Sequence, residues 1–183
     1  MVLTQALQIF IPTLAPLEPH KMSANDAKTV LDHTRRVSKH QIENSPIYAF
    51  ILRDVTIKEA SEGFVRAQLT IDSRHVNSRG TIHGAVTAAI VDWGGSLAII
   101  SHGRDKAGAS VDIHISYIGT AVVDDVIEII GTTSKVGQSL GFTTVEITKL
   151  LDGKPVAVIA KASHTKYIRN TPLEIQDREN KGA

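Results

Sequence analysis

The feature that most constrains the fold is a run of small and apolar residues at positions 82–100. A helix that is apolar on nearly every side has to be wrapped by the rest of the protein. The run is interrupted by His83, by Asp92 and by the pair Gly94 and Gly95. A carboxylate in the middle of a bilayer costs roughly 3 kcal/mol on insertion scales. The run therefore favours a buried helix in a globular domain over a membrane span.

The residues before this run predict one helix and one pair of strands. Residues 23–39 place apolar side chains at helical spacing, with Ser23 or Asn25 as the N-cap, and predict an amphipathic helix. Pro46 should prevent that helix from continuing. Two alternating segments, 48–57 and 64–71, flank the turn signal Glu62-Gly63 and predict paired strands.

Four later segments alternate apolar and polar residues and predict antiparallel strands joined by short turns. They are residues 109–118, 126–135, 142–150 and 155–168. Asp152-Gly153 between the last two is the dipeptide typical of a tight hairpin. This order of elements predicts an α+β domain in which one curved antiparallel sheet wraps around the apolar helix.

Composition excludes several classes of protein. The 20 Lys and Arg residues nearly balance the 19 Asp and Glu residues, so no broad basic surface is expected and nucleic acid is not predicted as a partner. The absence of cysteine excludes disulfides, zinc–thiolate sites and a cysteine nucleophile. No metal is predicted.

The chain divides into three parts on composition. Residues 1–25 are expected to be a flexible leader, residues 26–168 a single domain, and residues 169–183 a polar tail that frays. The leader has no cationic start and is interrupted by Pro12 and Pro16, unlike a signal peptide. A cytoplasmic location is therefore favoured, although Arg35 and Arg36 leave mitochondrial import open.

The segment from Asn77 to Gly84 precedes the apolar helix and is the first candidate for chemistry. Helix starts present unpaired amides and a partial positive charge, which suit an anion or a polarised carbonyl oxygen. Gly84 lacks a side chain, so a ligand can approach its amide closely. The structural alternative is that Thr81 caps the helix while His83 and Gly84 pack at a crowded turn.

Asp92 is the second candidate, because a carboxylate is seldom buried without a partner. A general base or a water-orienting carboxylate would explain it, as would an Asp that reaches an interface or accepts backbone hydrogen bonds. His83 and Asp92 are nine positions apart, about half a turn out of phase at 100° per residue, so they cannot converge within one helix. If they act together, a second subunit has to bring them together.

Ser110 opens the strand predicted at residues 109–118, where its hydroxyl could hold a water or a substrate oxygen. No G-x-S-x-G pattern surrounds it, so it does not resemble a nucleophile-elbow serine. On position alone, a structural role is favoured for this residue.

Three strings resemble the hotdog-fold acyl-coenzyme A thioesterases, in particular the phenylacetate-pathway thioesterases and thioesterase superfamily member two. They are NSRGTIHGAVTAAIVD at 77–92, ASVDIHISYI at 109–118 and KVGQSLGFTTVEI at 135–147. The similarity covers residues 48–167. Two departures, Ala85 in place of a second glycine and the bulky Trp93, are expected to narrow the acyl pocket.

The resemblance implies hydrolysis of an acyl-CoA thioester at a site split across a dimer interface. It implies that Asn77, His83 and Gly84 bind the thioester carbonyl, which the Gly84 amide polarises. It implies that Asp92 of the opposite subunit orients or deprotonates the attacking water, which Ser110 helps to place. No cofactor is implied, since coenzyme A is part of the substrate, and the expected assembly is a dimer or a dimer of dimers.

The resemblance also predicts where coenzyme A binds, with Lys135 available for a phosphate oxygen. The predicted residues are Tyr117, Ile118, Gly119, Lys135, Gly137, Gln138, Ser139 and Leu140. Ordinary strand and turn roles compete at each position. Two other functions stay open: a hydratase or dehydratase of the same fold, and a non-catalytic acyl-CoA binding module. If the thioesterase prediction holds, a homotetramer in fatty acid metabolism is expected.

Overall fold

A computed structural model describes residues 24–169, which form three helices and six strands in one antiparallel sheet. The elements are α1 (Ala24–Glu43), α2 (Pro46–Leu52), β1 (Thr56–Ser61), β2 (Phe64–Thr70), α3 (Gly84–Ile100), β3 (Ala109–Tyr117), β4 (Val126–Val136), β5 (Leu140–Leu151) and β6 (Lys154–Tyr167). The sheet order is β1-β2-β4-β5-β6-β3. Residues 1–23 of the predicted leader (1–25) and residues 170–183 of the predicted tail (169–183) lie outside the described residues.

The α+β prediction is confirmed: the sheet packs against the apolar helix α3, as expected for a hotdog fold. The predicted first helix is α1, which continues four residues further than predicted, to Glu43. Asn25 lies inside α1 and is therefore not its N-cap. The strands β2 to β6 fall on the predicted segments with small shifts at their ends.

The prediction of a strand over residues 48–57 is wrong for its first half. Ser45 is an extended N-cap residue whose hydroxyl accepts a hydrogen bond from the Tyr48 amide at 3.4 Å, and Pro46 occupies the first turn. A capping serine followed by proline begins a helix, so residues 46–52 form α2. The strand starts only at Thr56.

The turn signals are confirmed, but one connection differs from the prediction. Gly63 has φ +75° between β1 and β2, and Asp152 and Gly153 have φ 50° and 74° in the two-residue turn between β5 and β6. Positive φ at both central residues is the type I′ hairpin geometry. The β3 strand does not pair with β4; it pairs with β6 at the far edge, so residues 118–125 form a crossover.

Helix α3 approaches the sheet closely at glycines of the interface. A Cβ at Gly131 on β4 would stand 2.5 Å from the carbonyl oxygen of Gly94, and one at Gly95 would stand 2.8 Å from His164 Nδ1. Trp93 has no exposed surface and its indole N–H donates to Ser38 Oγ on α1 at 3.3 Å. Thus α3 is enclosed by the sheet on one side and by α1 on another.

Strand β3 forms one edge of the sheet and is largely exposed. Its apolar residue Val111 is 61% exposed, and Tyr117 and Ile118 at its end are 57% and 58% exposed. An apolar edge strand with unpaired main-chain groups is a surface on which another strand can add. Across residues 24–169, no helix is long and apolar enough to cross a membrane.

Candidate active site

The Asp92 carboxylate is the centre of a hydrogen-bonded cluster that joins α3 to β3, β6 and α2. Its Oδ1 accepts hydrogen bonds from Ser110 Oγ at 3.1 Å and Lys166 Nζ at 3.2 Å. Its Oδ2 accepts one from the Tyr48 hydroxyl at 2.8 Å. The side chain is 33% exposed, so solvent or a ligand can reach this carboxylate.

Lys166 on β6 is the counter-charge of Asp92, and its side chain is only 5% exposed. An ammonium group has three hydrogen-bond donors. Here they are directed to Asp92 Oδ1, to Ser96 Oγ at 2.9 Å and to Ser110 Oγ at 3.3 Å. The buried charge is therefore paired and its donors are satisfied.

His164 lies two residues before Lys166 on the same face of β6, with its Nε2 3.0 Å from Ser110 Oγ. The Ser110 hydroxyl donates its one proton to Asp92 and accepts from Lys166, so its remaining lone pair faces an Nε2–H. The proton therefore resides on Nε2. This agrees with His164 Nδ1 being buried against Gly95 without a hydrogen-bond partner.

The protonation states follow from these contacts. Burial alone would raise the pKa of Asp92, but the Lys166 ammonium and the hydrogen bonds from Tyr48, Lys166 and Ser110 hold it below its ordinary value. Burial, and then the Lys166 charge, lower the pKa of His164 to about 4 against the opposing pull of Asp92 and Asp112. Burial, followed by the Asp92 charge and hydrogen bond, raises the pKa of Tyr48. At neutral pH the cluster holds an ionised carboxylate beside a neutral imidazole and a neutral phenol.

Asn77 closes the turn that leads into α3. Its Nδ2 donates to Thr81 Oγ1 at 3.0 Å, and its Oδ1 accepts from the Arg79 amide at 2.9 Å. This leaves one of the two amide protons of the side chain for another acceptor. Thr81 is hydrogen-bonded to Asn77 and does not cap α3. The alternative that Thr81 is the helix cap is therefore wrong.

His83 is the N-cap of α3, and its Nδ1 accepts from the Ala85 amide at 3.0 Å. Gly84 is the first residue of the helix, so its N–H belongs to the group that has no acceptor within the helix. The Tyr117 hydroxyl donates to the Gly84 carbonyl at 3.3 Å. Asp92 follows Gly84 by eight residues, roughly 12 Å along the helix axis. Within one chain the helix start and the carboxylate are therefore separate.

The predicted coenzyme A residues also divide into two sets. Leu140 and Ala109 both pair with Tyr167, so the hairpin of residues 136–140 lies near the Ser110 end of β3. Tyr117 is at the other end, about 26 Å away for a strand of this length. There the amides of Ile118 and Gly119 both donate to the Ile159 carbonyl.

We refer to the two sets as half-sites. The carboxylate half-site comprises Tyr48, Asp92, Ser96, Ser110, His164, Lys166 and the neighbouring segment Lys135, Gly137, Gln138, Ser139 and Leu140. The helix-start half-site comprises Asn77, His83, Gly84, Tyr117, Ile118 and Gly119.

Four residues of the carboxylate half-site were not predicted: Tyr48, Ser96, His164 and Lys166. A signal for two of them exists in the sequence. On β6 the buried positions alternate through Ala160 and Ala162, and His164 and Lys166 continue that inward series. Polar residues at inward positions of a strand need buried partners, and Asp92 was the candidate on α3.

A groove of about 550 Å³ between α1, α2 and β1 lies apart from both half-sites, none of whose residues line it. Arg35 lines this groove, and its guanidinium donates to the Ile57 carbonyl at 2.8 Å. Its guanidinium thus joins α1 to the main chain of β1.

Comparison with known proteins identifies the family. The thioesterase superfamily model matches residues 79–156, a span that contains parts of both half-sites. Human acyl-coenzyme A thioesterase 13 is 34% identical over 120 residues, which cover 66% of this chain and 84% of the relative. The crystal structure of zebra fish thioesterase superfamily member 2 is 33% identical, with a TM-score of 0.64 over 77% of this chain and 96% of that one.

A second solved structure, a hypothetical thioesterase from Streptococcus pneumoniae with coenzyme A, is 25% identical. Its TM-score is 0.58, and the match covers 63% of this chain and 89% of that one. The match to the human relative, together with the shared fold, shows that this chain belongs to the thioesterase superfamily.

Proposed function

We propose that this chain hydrolyses an acyl-CoA thioester to a carboxylic acid and coenzyme A, at sites that two copies of the chain assemble. The ionised, partly exposed Asp92 carboxylate carries this proposal, because it is a base that burial and three hydrogen-bond donors hold in place. The human relative is named an acyl-coenzyme A thioesterase, and the S. pneumoniae thioesterase structure contains coenzyme A.

The division into half-sites supports assembly from two chains. If the exposed β3 edges of two copies pair antiparallel about a two-fold axis, the Ser110 end of one strand lies beside the Tyr117 end of the other. Tyr117 is hydrogen-bonded to Gly84, so the partner's helix start would come with it. The carboxylate half-site of one copy would then face the helix-start half-site of the other.

In the proposed reaction, Asp92 takes a proton from a water that attacks the thioester carbonyl carbon. Ser110 helps to place that water indirectly, by holding Oδ1 of this carboxylate with its hydrogen bond. The negative charge that develops on the carbonyl oxygen is stabilised by the Gly84 amide and by the positive end of α3, with Asn77 and His83 beside it. The carbon–sulfur bond then breaks, and the proton held by Asp92 passes to the leaving thiolate. This gives the acid and free coenzyme A with no other reactant.

Binding of coenzyme A is proposed along the surface where the two half-sites meet. The exposed Lys135 ammonium would pair with a phosphate oxygen. In the neighbouring turn of Gly137, Gln138 and Ser139, the Gln138 and Ser139 side chains offer donors. From the helix-start half-site, Tyr117, Ile118 and Gly119 would line the same path. A cytoplasmic location and a role in fatty acid metabolism stay predictions.

The test is thiol release from a panel of acyl-CoA substrates of different chain length and aromatic character. Asp92→Asn should lose about 100-fold to 1,000-fold in turnover, the usual effect of removing a well-placed base. Asp105→Asn is the matched control, because Asp105 is 79% exposed and belongs to an ion pair with α1. Full turnover in Asp92→Asn would refute the mechanism, whereas loss of an enoyl double bond without thiol release would indicate a hydratase.

A further inference from the structure

The Tyr48 hydroxyl contacts the proposed catalytic carboxylate from an element that the thioesterase motifs do not include. Helix α2 is held in place by burial of Ile51 and Leu52 and by His75, whose Nε2 lies 2.8 Å from the Ile51 carbonyl oxygen. Ile47 and Phe50 of the same helix are exposed. The phenol of Tyr48 extends from the buried face to Asp92 Oδ2 at 2.8 Å, the shortest hydrogen bond in the cluster.

The effect of this contact depends on how many acceptor positions of the Asp92 carboxylate are already occupied. A carboxylate has about four lone-pair positions, two on each oxygen. Ser110 and Lys166 use those of Oδ1, at 3.1 and 3.2 Å. Tyr48 uses one on Oδ2, and His164 Nε2 stands 3.6 Å from Oδ1, too far for a hydrogen bond. One position, on Oδ2, remains for a further donor.

We propose that Tyr48 is a positioning residue that fixes Oδ2 of Asp92 as the atom that takes the proton from the attacking water. With the phenol in place, the carboxylate cannot rotate without breaking a hydrogen bond on each oxygen, and only one acceptor direction is open to water. Without the phenol, Oδ2 has two open directions and water can occupy either. This inference rests on the proposed hydrolysis and adds a residue from α2 to it.

Tyr48 also affects when Asp92 is ionised. The titratable groups around this carboxylate are Tyr48 from α2 and His164 and Lys166 from β6, and Asp112 on β3 acts on His164. The hydrogen bond from Tyr48 helps to lower the pKa of Asp92, so its removal should raise that pKa. The acid limb of activity should then move to higher pH, an effect that a purely structural tyrosine would not produce.

The experiment compares Tyr48→Phe, which keeps the ring and removes the hydroxyl, with Tyr167→Phe on β6, where the tyrosine is 40% exposed. In Tyr48→Phe, kcat should fall about 10-fold to 100-fold, as for loss of a hydrogen bond to a charged group, with KM nearly unchanged. The acid limb of the kcat profile should move to higher pH. Tyr167→Phe should keep the wild-type kcat and profile.

A second readout does not depend on turnover. The carboxyl carbon of Asp92, labelled with ¹³C and assigned by its loss in Asp92→Asn, is titrated by NMR in the wild type and in Tyr48→Phe. A higher pKa for Asp92 in Tyr48→Phe supports the proposal. An unmoved pKa, or a reduced kcat with an unmoved pH profile, would overturn it. If the wild type hydrolyses no thioester, the proposed function fails while this titration still decides what Tyr48 does to Asp92.

Discussion

The buried pair of Asp92 and Lys166 should couple the two side chains strongly in the free energy of unfolding. Asp92→Asn keeps the shape of the side chain but leaves the Lys166 ammonium, 5% exposed, without a negative partner. Removal of one member of a buried pair costs about 3–5 kcal/mol, and the 33% exposure of Asp92 favours the lower end, about 3 kcal/mol.

Lys166→Met should cost less, about 1–2 kcal/mol, because the remaining carboxylate is partly solvated and still accepts from Tyr48 and Ser110. The double variant has neither charge at nearly the same volume. It should cost about 2 kcal/mol, so the coupling energy is about 2–3 kcal/mol.

The assay is urea unfolding at pH 7, followed by the fluorescence of Trp93, which is the only tryptophan in the chain and has no exposed surface. All four proteins are compared at one protomer concentration, since association contributes to apparent stability. If the two single losses add up to the double loss within about 0.5 kcal/mol, the two side chains are not coupled and the ion pair is refuted.

Two further predictions concern the packing of α3 and the neutral histidine. Gly131→Ala should destabilise the fold by several kcal/mol, roughly the cost of overpacking against rigid backbone, because the new Cβ meets the Gly94 carbonyl oxygen at 2.5 Å. Urea unfolding measures this loss, and a midpoint equal to that of the wild type would contradict the close approach of α3 to β4. The pKa of His164 is lowered to about 4 from the 6.5 of a free histidine. As pH falls, this histidine is therefore protonated in the unfolded chain before it is protonated in the folded one. The free energy of unfolding should consequently decrease as pH drops from 6.5 to about 4. His164→Gln should flatten that part of the pH–stability curve, and an unchanged slope in this variant would show that His164 is not its source.

The sequence predicted those parts of the fold that depend on local patterns. The apolar run gave α3, the alternating segments gave β2 to β6, and Asp152-Gly153 gave the hairpin. Helix α2 was missed because its seven residues are too few to show a helical period, although Ser45 and Pro46 carried a helix start. The position of β3 at the far edge was not predictable, since strand order depends on contacts distant in sequence.

The candidate site was predictable where one residue conflicted with its surroundings. Asp92 stood out in an apolar helix, and its spacing from His83 indicated that the two could not meet in one chain; their separation along α3 agrees with that argument. Tyr48 and Lys166 reach Asp92 across 44 and 74 positions of sequence. Contacts of that kind depend on tertiary packing, and only the inward register of β6 offered a signal for one of them.

The most direct test of the account is complementation between two variants, each lacking one half-site. Asp92→Asn removes the base. Gly84→Pro removes the N–H at the first position of a helix, where proline is well tolerated, and adds a ring whose Cβ would lie 3.6 Å from Tyr117 Cε1. Each variant alone should be nearly inactive in thiol release. After subunit exchange of an equal mixture, half of the dimers are mixed and each carries one intact site, so about a quarter of wild-type activity should return. If mixed dimers form and activity does not return, the two half-sites do not combine across two chains.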